Sequence, residues 1–177
     1  MIEIGMKLPY NLSYYQRQLD YNRFNLVEAR GIHDVYYSNK NVRGLTEVEM
    51  NSACVRLRTV SKNLEYSYDM SQECVDEQSR LLHAGYRKIC EIVALQCLYS
   101  RSDKLCRLRL EQIQNLGLLV YYNNPSLAGL PKLTQRDRLI DELNDYGFYF
   151  NHSDLGVDKL RTFYYGFETY SLIQGKE

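Results

Sequence analysis

Residues 103–130 read DKLCRLRLEQIQNLGLLVYYNNPSLAGL, and the way this stretch folds decides the architecture of the chain. Its first half places Leu110 and Ile113 among polar residues, a spacing that fits an amphipathic helix, and Gly117 stands where such a helix would stop. LLVYY then has strand composition, and the following NNPS is a turn. The same order recurs about thirty residues later in QRDRLIDELNDYGFYFNHSDLGVDKL, residues 135–160. Aligning Gly117 with Gly147 matches Leu110 to Ile140, Ile113 to Leu143, and residues 118–120 to 148–150. The pattern predicts two helix-extension units on the C-terminal side of the chain.

Outward from there, most of the chain reads as helix. Residues 1–12 contain Pro9 and read as an extended arm. Ser13 is placed to cap a helix that runs to Arg30 and stops at Gly31. Residues 31–44 read as a loop with a short strand. Thr46-x-x-Glu49 is a capping box, and Met50, Ala53, Leu57, Val60 and Leu64 continue an apolar face to about residue 65. A long helix is expected over 72–99, with Val75, Leu82, Ile89, Val93 and Cys97 on one stripe and ICEIVALQCLY as the most buried segment. Thr134-x-x-Asp137 opens another helix, with Leu139, Ile140, Leu143 and Tyr146 on its core side, and Gly147 ends it. A last helix over 156–170 presents Val157, Leu160, Phe163, Tyr164 and Phe167. Segments 118–122 and 148–151 could pair as two short strands. The expected fold is mainly α: a bundle of about five helices with two C-terminal helix-extension-helix-like units. Residues 1–99 form the arm and helical core and 100–177 the repeats, within one compact domain.

Composition narrows the function classes. The 177 residues carry 22 cations and 22 anions, so nothing steers the whole molecule toward nucleic acid or an anionic membrane. No apolar run reaches the length of a membrane span. The N-terminus lacks the sections of a signal peptide. Five cysteines without paired spacing fit a reducing compartment better than a disulfide framework. The expected location is the cytoplasm or the interior of a virus particle, with no secretion.

LTQRDRLIDELNDYGFYFNHSDLGVDKLRTFYYG, residues 133–166, resembles the helix-extension-helix modules of the SAP and LEM type. Leu133-Thr134 leads, Leu139 and Leu143 line the first helix, Gly147 turns, and Leu160-Arg161 lies in the second. The resemblance implies binding of DNA or of a protein. From Lys132 to Tyr170 five cations face seven anions, which is the wrong excess for tracking phosphates, so it implies a protein partner or a scaffold role.

The candidate sites follow from residue type. Seventeen tyrosines include the doublets Tyr14-Tyr15, Tyr36-Tyr37, Tyr121-Tyr122 and Tyr164-Tyr165. Adjacent side chains diverge on a helix and oppose on a strand, so one ring of each pair is expected off the core, as an interface anchor. Arg101, Lys104, Arg107 and Arg109 belong to the basic stretch 86–110, where six cations face two anions; they form either a solvated face or a nucleic-acid stripe. His83, Cys90 and Cys97 repeat every seven residues, about 10 Å along a helix, too far apart for one zinc, so no metal and no cofactor is expected. No Walker loop, GxGxxG, GxSxG or HExxH occurs. The leading expectation is a non-catalytic structural or adaptor protein that meets a protein partner, or a second copy of itself, through tyrosine-rich surfaces. A virus or phage particle component, or an inhibitor of a host complex, is the context expected for so motif-poor a small chain. The alternatives are a nucleic-acid-binding accessory factor using residues 101–109, and a hydrolase or transferase in which a Cys or carboxylate meets His83 or His152.

Overall fold

RLRLEQI is a strand. The computed structural model describes residues 2–61 and 72–149 together with Leu160 and Tyr164. In chain order the elements are β1 (Ile4–Leu8), α1 (Leu12–Tyr21), β2 (Asn25–Ser38), α2 (Glu47–Ala53), β3 (Val55–Ser61), α3 (Gln72–His83), β4 (Arg87–Ser100), β5 (Arg107–Ile113), β6 (Gly117–Asn123) and α4 (Lys132–Asp145), with a single 3-10 turn at Pro125–Leu127 before α4. The six strands form one sheet in the order β1-β6-β5-β4-β2-β3. The pairs β1–β6, β5–β6 and β2–β3 are antiparallel. The expectation of a mainly helical bundle is therefore corrected to an antiparallel sheet with four helices.

The physical reason lies in the period. Leu108 and Leu110 are buried in the core, while Arg107, Arg109 and Glu111 alternate with them and face away, as a strand requires and a helix forbids. Ile113 pairs with Gly117 across a loop in which Asn115 adopts φ 63°, so the hairpin β5–β6 forms where a helix followed by an extension was expected. The second copy of the pattern does fold as a helix, α4, and the two stretches are not structural repeats. β6 pairs with β1 and β5, and residues 148–149 are not strand. The expected partners 150–151 lie outside the described residues.

Three helices end in the same way, and the sequence reveals only one of them cleanly. At α4, Gly147 sits at φ 84°, with Phe148 N–H bonded to Leu143 O at 2.9 Å and Gly147 N–H to Asn144 O at 2.9 Å. At α3, Gly85 at φ 82° closes the matching pair, Tyr86 to Leu81 and Gly85 to Leu82. The expected helix over 72–99 thus breaks at Gly85, and ICEIVALQCLY belongs to β4. At α1 the left-handed position is Arg23, at φ 61°, and Phe24 bonds back to Leu19 at 2.9 Å. With no glycine to mark this stop, the expected helix ran on to Gly31 through what is half of β2. Asn11, not Ser13, caps α1 by accepting from Tyr14 N at 3.0 Å. The Thr46–Glu49 capping box forms as expected, but α2 stops at Ala53 and β3 follows. α4 starts at Lys132 behind Pro131 without a side-chain cap, although Leu139, Leu143 and Tyr146 are buried as expected.

The fold divides into two units, Met1–Arg30 with Leu95–Val157, and Gly31–Ala94 with Asp158–Glu177. In the first, α1 and α4 cover one sheet face. Tyr15, Leu19, Leu139, Leu143 and Phe148 pack there against Ile4, Met6, Leu8, Leu108, Leu110, Val120 and Tyr122. Fully burying each such side chain is worth about 1.5–3 kcal/mol, so this layer carries the unit. In the second, Val35, Tyr37 and Leu81 form a smaller core with Val55, Leu57 and Tyr86. There Asp34 is fully buried and accepts two hydrogen bonds from Arg58, at 2.6 and 2.7 Å. Among the described residues no helix is long and apolar enough to cross a membrane. Most of the second helix of the SAP/LEM-like module lies outside the described residues; Leu160 and Tyr164 are helical. Its first helix is an element of a sheet-based unit, which corrects the resemblance.

Candidate functional site

The face of the first unit's strands opposite α1 and α4 carries charge. β1 reads Ile4-Gly5-Met6-Lys7-Leu8 and Glu3 precedes it; the apolar residues enter the core, leaving Glu3 and Lys7 to the other side. β5 contributes Arg107, Arg109 and Glu111 to that side, and β6 contributes Tyr121 and Asn123. β2 adds Glu28 and Arg30, and β4 adds Gln96, Leu98 and Ser100. A cavity of about 510 Å³ opens on this face, lined by Arg30, Arg107, Arg109 and Glu3 with Tyr121 and Asn123 among its walls. Three arginines against one glutamate give the wall an excess of positive charge, in a volume typical of small-molecule sites.

The guanidinium groups differ in how they are held. Arg109 lies over the Tyr121 ring, 4.2 Å from its centroid, and the two residues are direct cross-strand partners. Its Nε is 3.2 Å from Glu111 Oε1, and its Nη2 donates to Glu3 Oε2 at 3.3 Å. Arg30 donates through Nε to Gln96 Oε1 at 2.7 Å and sits 3.5 Å from Glu28. Arg107 makes no ion pair among the described residues and points an exposed cation at the cavity. Two arginines are thus fixed and one is available. Among the described residues no three His, Cys, Asp or Glu side chains converge to hold a metal ion.

The structure splits the expected basic stripe. Arg101 follows β4 and grips Asp103 through two bonds of 2.8 and 2.6 Å, with Phe24 and Tyr146 rings 5.6 and 5.7 Å away. The hydrogen bonds to Asp103 raise the Arg101 pKa, and those same bonds lower that of Asp103. Lys104 donates to the Tyr146 hydroxyl at 3.2 Å. Only Arg107 and Arg109 reach the cavity, and they do so from a strand, so the nucleic-acid helix built on 101–109 does not exist.

Six of the thirteen described tyrosines are buried. Tyr15 is fully buried and stacks on Phe148 at 4.9 Å, and Tyr14 meets its ring edge-on. Tyr36 and Tyr37 are both buried, as is Tyr122, while Tyr121 lies under Arg109. Tyr164 is partly buried, and Tyr165 lies outside the described residues. Four of the seven described doublet rings belong to the protein's own interior, and the adaptor reading, with the viral context attached to it, is corrected. For the hydrolase alternative, His83 is exposed at the end of α3 and bonded to Ser79 O, Cys90 and Cys97 lie on β4, and His152 is outside the described residues. Burial pushes the Cys90 thiol up to about 12 and raises Cys97 and Cys106, so these sulfurs stay protonated.

Glu3, Arg30, Gln96, Glu111 and Asn123 were absent from the expected sites. Their signal is the period of two in IEIGMKL and RLRLE, which sets every charged residue of these strands on one face.

No protein-family model and no curated protein sequence matches the chain. Solved structures do. A protein from Pyrococcus horikoshii OT3 superposes with a TM-score of 0.63 at 12% identity, covering 96% of this chain and 99% of the other. A conserved hypothetical protein from Pyrococcus furiosus gives 0.59 at 12%, covering 91% and 98%. A Vibrio parahaemolyticus protein, named "a putative adenylate cyclase", gives 0.61 at 12%, covering 90% and 94%. At such identities the likeness shows that the chain shares their fold.

Proposed function

We propose that the arginine-lined cavity binds a small phosphate-bearing anion, and that a nucleoside triphosphate is the first ligand to test. The observation that carries this reading is the convergence of Arg30, Arg107 and Arg109 on one cavity of about 510 Å³. A guanidinium offers a planar fork of donors that matches phosphate oxygens, and a cation held in advance loses less freedom on binding. The name of the Vibrio neighbour supports an adenine nucleotide in particular. The zero net charge of the chain is compatible, because a local cluster suffices for a small ligand.

Calorimetric titration with ATP and with inorganic triphosphate tests the proposal. Arg107→Ala and Arg109→Ala are each expected to weaken binding by about 10- to 100-fold, the worth of a hydrogen bond to a charged partner. Absence of binding at millimolar ligand, or affinity indifferent to both substitutions, would sink it. Following the bound nucleotide for product formation then separates a receptor from an enzyme.

A further inference from the structure

Beneath the cavity floor one neutral side chain links two charged ones. Gln96, on β4, is 1% exposed. Its Oε1 accepts from Arg30 Nε at 2.7 Å, and its Nε2 donates to Glu111 Oε1 at 2.6 Å. Glu111, 2% exposed, is in turn 3.2 Å from Arg109 Nε through the same oxygen. Arg30 and Arg109 are therefore joined across β2, β4 and β5 by two directed hydrogen bonds through Gln96 and, at the Arg109 end, by an ion pair with Glu111. Arginine can only donate and the ionised carboxylate can only accept, so the amide can take one orientation alone. Glutamine is the side chain that supplies an acceptor on one side and a donor on the other without adding a charge. A buried amide bonded on both sides keeps its neighbours in place, and both arginines line the cavity.

We infer that Gln96 is the positioning residue of this site: it sets the Arg30 and Arg109 forks in the arrangement that receives the anion, without touching the anion itself. The inference rests on the anion-binding reading above and adds how the receptor is held rigid. The groups that face Gln96 and its two partners are Glu28 and Arg30 from β2, Arg109 and Glu111 from β5, Glu3 just before β1 and the Tyr121 ring from β6.

The test uses the full chain, sodium triphosphate as probe, and two variants. Gln96→Leu removes both links, and a loss of affinity of about 10-fold is expected. The Arg30 Nε–H proton, followed by nitrogen-15 NMR without ligand, is expected to shift and to exchange faster. Gln96→Glu keeps size and the acceptor for Arg30 but sets a carboxyl against Glu111. Two carboxyl groups in contact cannot both ionise cheaply, so this variant regains the donor only when the pair retains a shared proton. Its affinity relative to wild type, compared at equal pH, is expected to be about 10-fold low near pH 8 and to recover toward pH 5.5. A residue that merely filled space would show no such recovery, and if Gln96→Leu fails to fold, Gln96→Glu decides. Should wild type bind while Gln96→Glu stays within about twofold at every pH, the positioning role is overturned and the anion site stands. Should wild type fail to bind triphosphate, the anion site falls and this role falls with it.

Discussion

The Tyr122 hydroxyl donates to Glu142 Oε2 at 2.5 Å and so ties β6 to α4. Asn124 adds two bonds of 3.0 Å to the same carboxylate. Tyr122 is fully buried, and burial, followed by this hydrogen bond, drives its pKa far up, so the phenol stays a donor at any ordinary pH. Tyr122→Phe leaves the ring in place and removes the donor. It should cost about 1.5–3 kcal/mol in urea denaturation, the range for a bond to a charged acceptor. A cost near zero would mean that Asn124 alone holds Glu142.

The two ends of left-handed geometry give opposite predictions. Arg23 carries φ 61° on an exposed side chain, and replacement by glycine relieves that strain; Arg23→Gly should stabilise the protein by about 0.5–1 kcal/mol. Gly147 carries φ 84°, and a methyl there would also stand 2.7 Å from Gln18 Oε1, which is the movable end of a side chain. Gly147→Ala should therefore destabilise by about 1–2 kcal/mol, chiefly through the backbone. Thermal midpoints of the pair, measured side by side, check both signs.

In the second unit, Arg58→Met should be among the costlier single changes. It removes the two hydrogen bonds that Arg58 gives to the fully buried Asp34 carboxylate. Breaking one partner of a buried pair costs roughly 3 kcal/mol or more. Guanidinium denaturation of Arg58→Met beside Asp34→Asn checks it, with the arginine variant expected to be the less stable.

Alkaline pH should unfold this protein early. Burial raises the pKa of Tyr36, Tyr37, Tyr99 and Tyr122 and pushes Tyr15 up to about 12. A group whose pKa is raised in the folded state contributes stability that is whole below its unfolded value and is lost as pH climbs through the folded one. For phenols the unfolded value is near 10. The buried thiols of Cys90, Cys97 and Cys106 are raised too, from an unfolded value near 8.5, so the thermal midpoint should begin to fall above about 8.5 and fall more steeply above about 10, while phenolate absorbance of the folded protein lags behind that of free tyrosine. A midpoint level to pH 11 would contradict this account.

The parts of the fold legible in the sequence are those written in local chemistry. The capping box at Thr46 and Glu49, the glycine stop at Gly147 and the buried face of α4 are all present. The sheet was missed because Leu110 and Ile113 satisfy a helical spacing as well as a strand one, and only the intervening arginines and glutamate decide between them. ICEIVALQCLY is apolar at positions of both parities, so its period says little; its β-branched content favoured a strand. The stop at Arg23 could not be read, since the residue there disfavours the conformation it adopts. The cavity was invisible for a different reason. Glu3 just before β1, Arg30 on β2, Arg109 on β5 and Tyr121 on β6 come from parts of the chain far apart in sequence, and the sheet order makes them neighbours.

That order also governs how the chain reaches its final state. Ile4 pairs with Tyr122 and Leu8 with Leu118, so β1 must wait for β6, more than a hundred residues later, to emerge from the ribosome. Until then Ile4, Met6 and Leu8 have no partner, and the contacts that seat them are of high sequence separation, which slows folding. During synthesis β1 is a sticky, unmatched segment, and it is there that a chaperone would be most useful to this molecule.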